Sequence, residues 1–264
     1  MFTFTCVFVS VTILLTSLAT LFLTLSLFSN EWEYISYEMQ KVDEIVQSKN
    51  YSIQWLLGQM ARIEVDDAST EKSVQNNRSE MALNRRLIYL VPAYGGVNKL
   101  CIDIPDVAWQ QMKEDGFLVE ECISYLSKEK VTSRDSWLDR MRNLAMSCAI
   151  VCLILLGSSA ALGILGLIKN EISTIMVTGV MYSLAAVFGT FNLVFMRFKR
   201  VKPDGFYTST VLDKDIPEEF LRARLFTVGW PPAIECAGLC LCVIASLFWL
   251  LLARIFRFLI ISTT

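Results

Sequence analysis

The chain has 264 residues, of which 54% are hydrophobic and 19% are charged; its net charge is −2 and it contains no histidine. A soluble domain has about 45–50% apolar and about 25% charged residues, so the composition excludes an ordinary soluble protein. The lack of histidine excludes Ser-His-Asp and Cys-His catalytic pairs and His-ligated metal sites. The near-neutral charge, without a long basic run, argues against nucleic acid as a partner.

Four apolar stretches hold the excess of hydrophobic residues, and Glu235 is the one charged residue within them. A helix needs about 20 apolar residues to cross about 30 Å of hydrocarbon, so we predict four transmembrane helices in a left-handed bundle. The first stretch lacks a positively charged start and is about twice as long as a signal-peptide core, which favours a span over a cleaved leader. The predicted spans are 1–29, 143–168, 172–196 and 226–253.

Four crossings place both termini on one side of the membrane and the two longer loops on the other. Cys236, Cys240 and Cys242 lie inside the fourth span, where small polarizable residues are expected. We therefore predict no metal site there and no cofactor. The segments outside the spans are a long loop at 30–142, a tight turn at 169–171, a medium loop at 197–225 and a short tail at 254–264.

The long loop carries the features that predict its orientation. It contains two glycosylation sequons, which begin at Asn50 and Asn77, and two cysteines, Cys101 and Cys122, whereas the other six cysteines lie in the spans. An isolated pair of cysteines in a large lumenal loop suggests a disulfide, with two free buried thiols as the alternative. We therefore predict a plasma-membrane protein with extracellular loops and cytoplasmic termini.

The basic residues near the spans favour the opposite orientation by the positive-inside rule. Long loops translocate largely regardless of their charge, so the count says little about loop 30–142. The conflict at loop 197–225 stays open. The residues counted are Arg140, Arg142, Arg197, Lys199, Arg200 and Lys202 on the loop side, against Lys169, Arg254 and Arg257 on the other.

Short elements alternate within the long loop. Residues 36–86 have helical segments, with irregular helical spacing of apolar residues over 43–60. Residues 87–91 predict a strand that ends at Pro92, and Tyr94-Gly95-Gly96 predicts a turn. We further predict a helix over 106–116, a strand over 122–126, and a small extracellular β-sheet with helices that the disulfide clamps.

Several of these residues occur in an order that resembles the claudin superfamily of four-span proteins, which includes claudins, peripheral myelin proteins, clarins, and the calcium-channel gamma and AMPA-receptor regulatory subunits. The chain departs from the family pattern because no tryptophan lies between Gly96 and Cys101 and because the long loop is about twice a claudin's first loop. The residues that carry the resemblance are Trp32 after the first span, Gly95 and Gly96 before Cys101, Cys122, Arg142 before the second span, and Gly229-Trp230 at the fourth.

The resemblance implies a non-enzymatic auxiliary subunit of an ion channel or receptor, whose partners are membrane lipid and another membrane protein rather than a small-molecule substrate. A cell-adhesion or cell-junction protein is the alternative. One acid in the spans, no histidine, no inverted repeat and no broken helix make an intramembrane enzyme or transporter the least favoured class.

Glu235 is the most informative single residue because an acid within a membrane is costly and usually faces a partner. If the fourth helix begins near Thr227, Glu235 lies about 12 Å along it. Asn192 and Arg197 are the candidate partners. We predict that Glu235 fixes the third span to the fourth or contacts a partner's span; the alternative is that the helix begins later and Glu235 is interfacial.

Two aromatic residues and two pairs of small residues have structural roles in this prediction. Trp32 packs the sheet onto the membrane surface or is a general interfacial aromatic, and Trp230 belongs to the aromatic belt. Small residues four apart allow close helix packing, within the bundle rather than between copies. The two pairs are Gly157 with Ala161 and Ser159 with Gly163.

Overall fold

The computed structural model describes residues 2–56, 58–66, 85–117, 120–125, 137–199 and 216–263. The predicted glycosylation site at Asn77 lies outside these residues. In chain order the elements are α1 (Phe2–Phe28), β1 (Glu33–Tyr37), α2 (Met39–Lys49), β2 (Ser52–Leu56), β3 (Met60–Asp66), β4 (Arg85–Leu90), β5 (Ala93–Gly95), β6 (Lys99–Ile102), α3 (Asp106–Glu114), β7 (Cys122–Ser124), α4 (Trp137–Lys169), α5 (Ile172–Phe198), α6 (Glu218–Arg222), β8 (Arg224–Val228) and α7 (Pro231–Thr263).

Four of the helices, α1, α4, α5 and α7, are long and apolar enough to cross a membrane, which confirms the prediction of a multi-pass membrane protein. Helix α4 packs on α5, α5 on α7, and α7 on α1. Close packing follows from small residues at the contacts. Gly163 of α4 lies against the Trp249 ring of α7, and Gly238 of α7 lies against Leu23 of α1.

A five-stranded antiparallel sheet lies where the longer connections meet. Its strand order is β7-β6-β5-β1-β8. Strand β8 comes from the second long connection, yet it pairs with β1 over its whole length, from Glu33 opposite Val228 to Tyr37 opposite Arg224. The two long connections therefore meet at the same end of the helices. This is expected, because two long helices, α4 and α5, separate the connections along the chain.

The outer lobe, defined as β2, β3, β4 and helices α2, α3 and α6, has its own core. Its three-stranded antiparallel sheet has the order β2-β3-β4. Side chains of a strand alternate between the two faces, and both faces are buried here. Ile63 and Ile88 pack on one side with Phe220 of α6, whereas Met60 and Tyr89 pack on the other with α3.

Three sequence predictions differ from the structure in their detail. The helical pattern over 43–60 ends at Lys49, and the next residues form β2. Tyr94 and Gly95 belong to β5, and the turn follows them. The fourth span was predicted from residue 226, but that run forms β8, and the helix begins at Pro231. Apolar strand and apolar span residues are alike in hydropathy, so only the pairing with β1 separates them.

Candidate functional site

The candidate site is the junction, by which we mean the contacts of β1, β5 and β8 with the ends of the membrane-spanning helices. Trp32 lies at its centre, 1% exposed, between α1 and β1. Its indole N–H donates to the carbonyl oxygen of Ser26 at 2.9 Å. The Ser26 hydroxyl donates in turn to the carbonyl oxygen of Pro231 at 2.9 Å. Trp32 thus links the first span, the sheet and the start of the fourth span, and it does not face lipid.

A buried ion pair forms the second part of the junction. Lys199, at the end of α5, donates to a carboxylate oxygen of Glu33 in β1. The side chains are only 3% and 4% exposed. An ion pair out of water is stable only when its charges stay together, because either charge alone would carry a large desolvation cost. The pair therefore fixes the end of the third span to the sheet.

Arg142 in the first turns of α4 forms the third part. It is 2% exposed, and its guanidinium carbon lies 3.6 Å from the centre of the Tyr125 ring, a cation–π contact. Gly95 lies close to both the Arg142–Tyr125 contact and the Glu33–Lys199 ion pair. A Cβ added there would meet the Tyr125 hydroxyl at 3.3 Å and a Glu33 carboxylate oxygen at 3.4 Å. Glu33 and Tyr125 are therefore neighbours.

The glycines of the family resemblance lie where backbones approach closely. A Cβ at Gly229 would lie 1.7 Å from the carbonyl oxygen of Glu31. At Gly96 it would lie 2.7 Å from the Cα of Asn30. These two positions require glycine for steric reasons, because the strands and the end of α1 leave no room for a side chain.

The predicted disulfide is present. Cys101 and Cys122 face each other across β6 and β7, with an S–S distance of 2.03 Å. It ties the short edge strand β7 to the sheet that carries β1. In the chain-entropy model, closing a loop of about 20 residues contributes about 3 kcal/mol.

Two of the basic residues that opposed the predicted orientation are structural. Lys199 is 6% exposed and Arg142 is 2% exposed, and both are engaged at the junction. The positive-inside rule counts all Lys and Arg residues near the ends of the spans, so the conflict at loop 197–225 stays open.

The predicted contact between Glu235 and Asn192 is present in the bundle. The Asn192 side-chain amide donates to Glu235 Oε1 at 3.0 Å, which links α5 to α7. Both residues are 0% exposed. Glu235 is therefore positioned to fix the third span to the fourth. Arg197, the other candidate partner, is exposed at the end of α5.

The depth predicted for Glu235 was wrong. Because α7 begins at Pro231, Glu235 lies four residues into the helix, about 6 Å along it at 1.5 Å per residue. The alternative prediction, that Glu235 is interfacial, had assumed such a later start of the helix. Glu235 nevertheless faces the interior, since the neighbouring helix α5 covers it.

The fourth span carries two further polar contacts, to different helices. The Trp249 indole N–H donates to the Thr16 hydroxyl of α1 at 3.0 Å. The Ser246 hydroxyl donates to the carbonyl oxygen of Gly179 in α5 at 2.8 Å. Together with Glu235, these contacts make α7 the helix that joins α1 to α5.

The two small-residue pairs differ in direction. Ser159 and Gly163 are buried, and Gly163 faces Trp249. Gly157 and Ala161 are exposed, and no atom would meet a Cβ at Gly157 within 4 Å. The pair Gly157 and Ala161 therefore does not pack inside the bundle, contrary to the prediction. Small size alone did not show which side of α4 faces the other helices.

Trp230 lies at the start of α7, 45% exposed, and donates to Glu31 Oε2 at 2.5 Å. Asn50 is exposed at the end of α2 in a left-handed backbone conformation, with φ 56°.

In the outer lobe, Tyr89 donates to Asp115, and Arg62 Nε lies 3.4 Å from the same carboxylate. Burial, and then the neighbouring Asp115, raises the pKa of Tyr89 to about 12.

The roles of Glu33 and Tyr125 and the structural role of Lys199 were not predicted from the sequence. A weak signal existed, because Glu33 follows Trp32 directly in a segment that the family resemblance had already marked. Nothing in the sequence pairs it with a lysine 166 positions away. The sequence alone therefore indicated some residues of the junction, such as Trp32 and Arg142, but not the contacts between them and their partners.

Compared with known proteins, the chain matches no protein-family model and no curated protein.

Proposed function

We propose that this chain is a non-enzymatic, claudin-like protein of the plasma membrane that acts as an auxiliary subunit of an ion channel or receptor. Its left-handed bundle would dock on the partner's spans, and its two sheets would lie outside the cell against the partner's outer domain. The observation that carries the proposal is the junction, in which the buried pair of Glu33 and Lys199 joins the sheet to a span.

The mechanism is a coupling free energy between two surfaces. A subunit that contacts one state of a channel more tightly than the other shifts the population toward that state. Because Trp32 and the Glu33–Lys199 pair join the sheet to the spans, a contact at either end restrains the same body. A flexible joint would lose this coupling.

The outward sides of the spans supply surface for lipid or for a partner's helices. Exposed isoleucines line α4, and the exposed Gly157 and Ala161 would allow a helix to approach closely. The exposed isoleucines are Ile150 (51%), Ile154 (64%), Ile164 (61%) and Ile168 (72%).

Two groups of observations support the family and the orientation. The residues that resemble the claudin superfamily, including Trp32, Arg142 and Gly229, converge at the junction. The disulfide between Cys101 and Cys122 favours an oxidising compartment for the long loop.

The test is purification of the tagged full-length chain from native membranes in mild detergent, followed by identification of the co-purifying proteins. We expect a channel or receptor in fixed stoichiometry, and a shift in its gating when the two are co-expressed. The exchange variant Glu33→Lys/Lys199→Glu retains the ion pair and should retain the shift. Gating that is identical with and without the chain, for every co-purifying channel, would contradict the proposal.

Cell adhesion is the second candidate, and one observation favours it. Val107 in the first turn of α3 is 72% exposed on the outer lobe, where a protein on a neighbouring cell could reach it. Cells that express only this chain should then cluster with each other. Clustering that Val107→Asp abolishes, without loss of surface delivery, would favour adhesion over the channel role.

A further inference from the structure

Within the part of the chain that the structure describes, strand β2 is an edge of the three-stranded sheet, and its sequence lacks the residues that usually protect an edge. Native edges are guarded by charged residues, proline, bulges or very short strands. The strand Ser52–Leu56 contains no charged residue and no proline. It pairs with β3 in unbroken register, from Ser52 opposite Glu64 to Leu56 opposite Met60.

The other edges are guarded by charge or by length. Strand β4, at the opposite side of the same sheet, begins with Arg85 and Arg86. In the five-stranded sheet, β7 has only three residues, and β8 begins with Arg224. Among the described strands, β2 is thus the edge whose sequence most favours pairing with another chain.

The predicted glycosylation site lies directly beside this edge. Asn50 caps α2 in the left-handed conformation, and its exposed side chain precedes β2 by one residue. Ser52, which supplies the hydroxyl of the sequon, is the first residue of β2 and is also exposed. Two residues span at most about 7 Å, so the backbone that carries a glycan on Asn50 lies within that distance of the start of β2.

We propose that an N-linked glycan on Asn50 covers the free edge of β2 and prevents edge-to-edge pairing between copies of this chain. The glycan is bulky and hydrated, so it occupies the space that an added strand would need. In its attachment, the side-chain nitrogen forms a bond to the sugar C1, the nitrogen loses a proton, and the lipid diphosphate of the donor leaves. The inference rests on the extracellular orientation in the proposed function.

The test uses the full-length chain expressed in eukaryotic cells, with Ser52→Ala as the main variant. This change removes the sequon but leaves Asn50 as the helix cap, whereas Asn50→Gln would also disturb the left-handed position. The matched control is Ser52→Thr, which keeps the sequon. A second control is Asn77→Gln, which removes the other predicted glycan.

Glycosidase treatment on gels reports the glycan, and light scattering after size exclusion in mild detergent reports the mass of the protein. We expect Ser52→Ala to lose one glycan and to at least double in protein mass, while Ser52→Thr and Asn77→Gln keep the wild-type mass. Adding Gln54→Lys to Ser52→Ala should restore that mass, because Gln54 is exposed on β2 and a lysine guards an edge.

Two results would overturn the inference while the orientation stands: a Ser52→Ala protein that loses its glycan but keeps its mass, or an association that Gln54→Lys does not reverse. A wild-type chain without any glycan on Asn50 and Asn77 would overturn the orientation and, with it, the inference. The glycosidase result therefore distinguishes a failure of the inference about β2 from a failure of the proposed orientation.

Discussion

At the junction the charged side chains are buried, whereas in the outer lobe the comparable ion pair lies at the surface. The side chains of Glu33 and Lys199 are 4% and 3% exposed. Lys49 and Glu219, which join α2 to α6 in the lobe, are 41% and 48% exposed. The lobe is held by apolar contacts on both faces of its sheet, and the junction is held by polar contacts between elements far apart in sequence. Hydrogen bonds depend on direction, and a buried charge is stable only beside its partner, so these contacts suit a junction with one orientation.

The largest expected effect is the loss of the buried ion pair. Lys199→Met should lower the free energy of unfolding by about 3–5 kcal/mol, because it leaves the Glu33 carboxylate buried without its lysine. The matched change Lys49→Met in the exposed pair should cost at most about 1 kcal/mol. Thermal unfolding in detergent, followed by size exclusion with fluorescence detection, measures both.

The double variant Glu33→Leu/Lys199→Met shows whether the loss comes from the unpaired charge or from the changed side-chain shape. Removing both charges should recover most of the loss if the unpaired charge is the cause. Equal destabilisation by Lys199→Met and Lys49→Met would contradict the contrast between junction and lobe.

The next effect is steric. Gly229→Ala places a Cβ 1.7 Å from the carbonyl oxygen of Glu31, so the backbone must shift, at a cost of about 1–3 kcal/mol or more. Gly157→Ala, at the exposed face of α4, meets nothing within 4 Å and should not lower the unfolding temperature, since alanine is the better helix former. The same thermal assay compares the two variants.

A similar or smaller effect is expected inside the bundle. Asn192→Leu removes the amide donor that contacts Glu235 Oε1 at 3.0 Å and should cost about 1–3 kcal/mol, since the carboxyl stays buried without it. Thr190→Val on the same helix removes only a local bond to the Ala186 carbonyl oxygen and serves as the control. If the two variants unfold at the same temperature, the contact does not stabilise the packing of α5 on α7.

The smallest effect concerns the outer lobe and appears only at alkaline pH. The pKa of Tyr89 is raised to about 12 from an unfolded value near 10. Its contribution to stability is therefore fully present below about pH 10 and is lost as the pH rises to about 12. Tyr89→Phe should flatten the loss of stability across that interval, measured by intrinsic fluorescence during alkaline titration. An unchanged alkaline profile would show that another group controls it.

Much of the fold could be predicted from local patterns. Hydropathy indicated the four long helices, and the partition of cysteines indicated the pair Cys101 and Cys122. Glu235 was found because it is the one acid in an apolar span, and Asn192 because few polar side chains were available to it. Strand β8 was missed because its apolar residues merge with those of the following helix, and only its pairing with β1 separates them.

The sequence by itself determined which segments avoid water, because burial of apolar length is a property that each segment carries alone. It also determined which residue types were available for chemistry. Only the tertiary structure decided that Lys199 belongs to Glu33, that Arg142 lies on Tyr125, and that Gly163 faces inward while Gly157 faces outward. These choices depend on distances between segments up to 166 positions apart, and no local pattern encodes a distance across the fold.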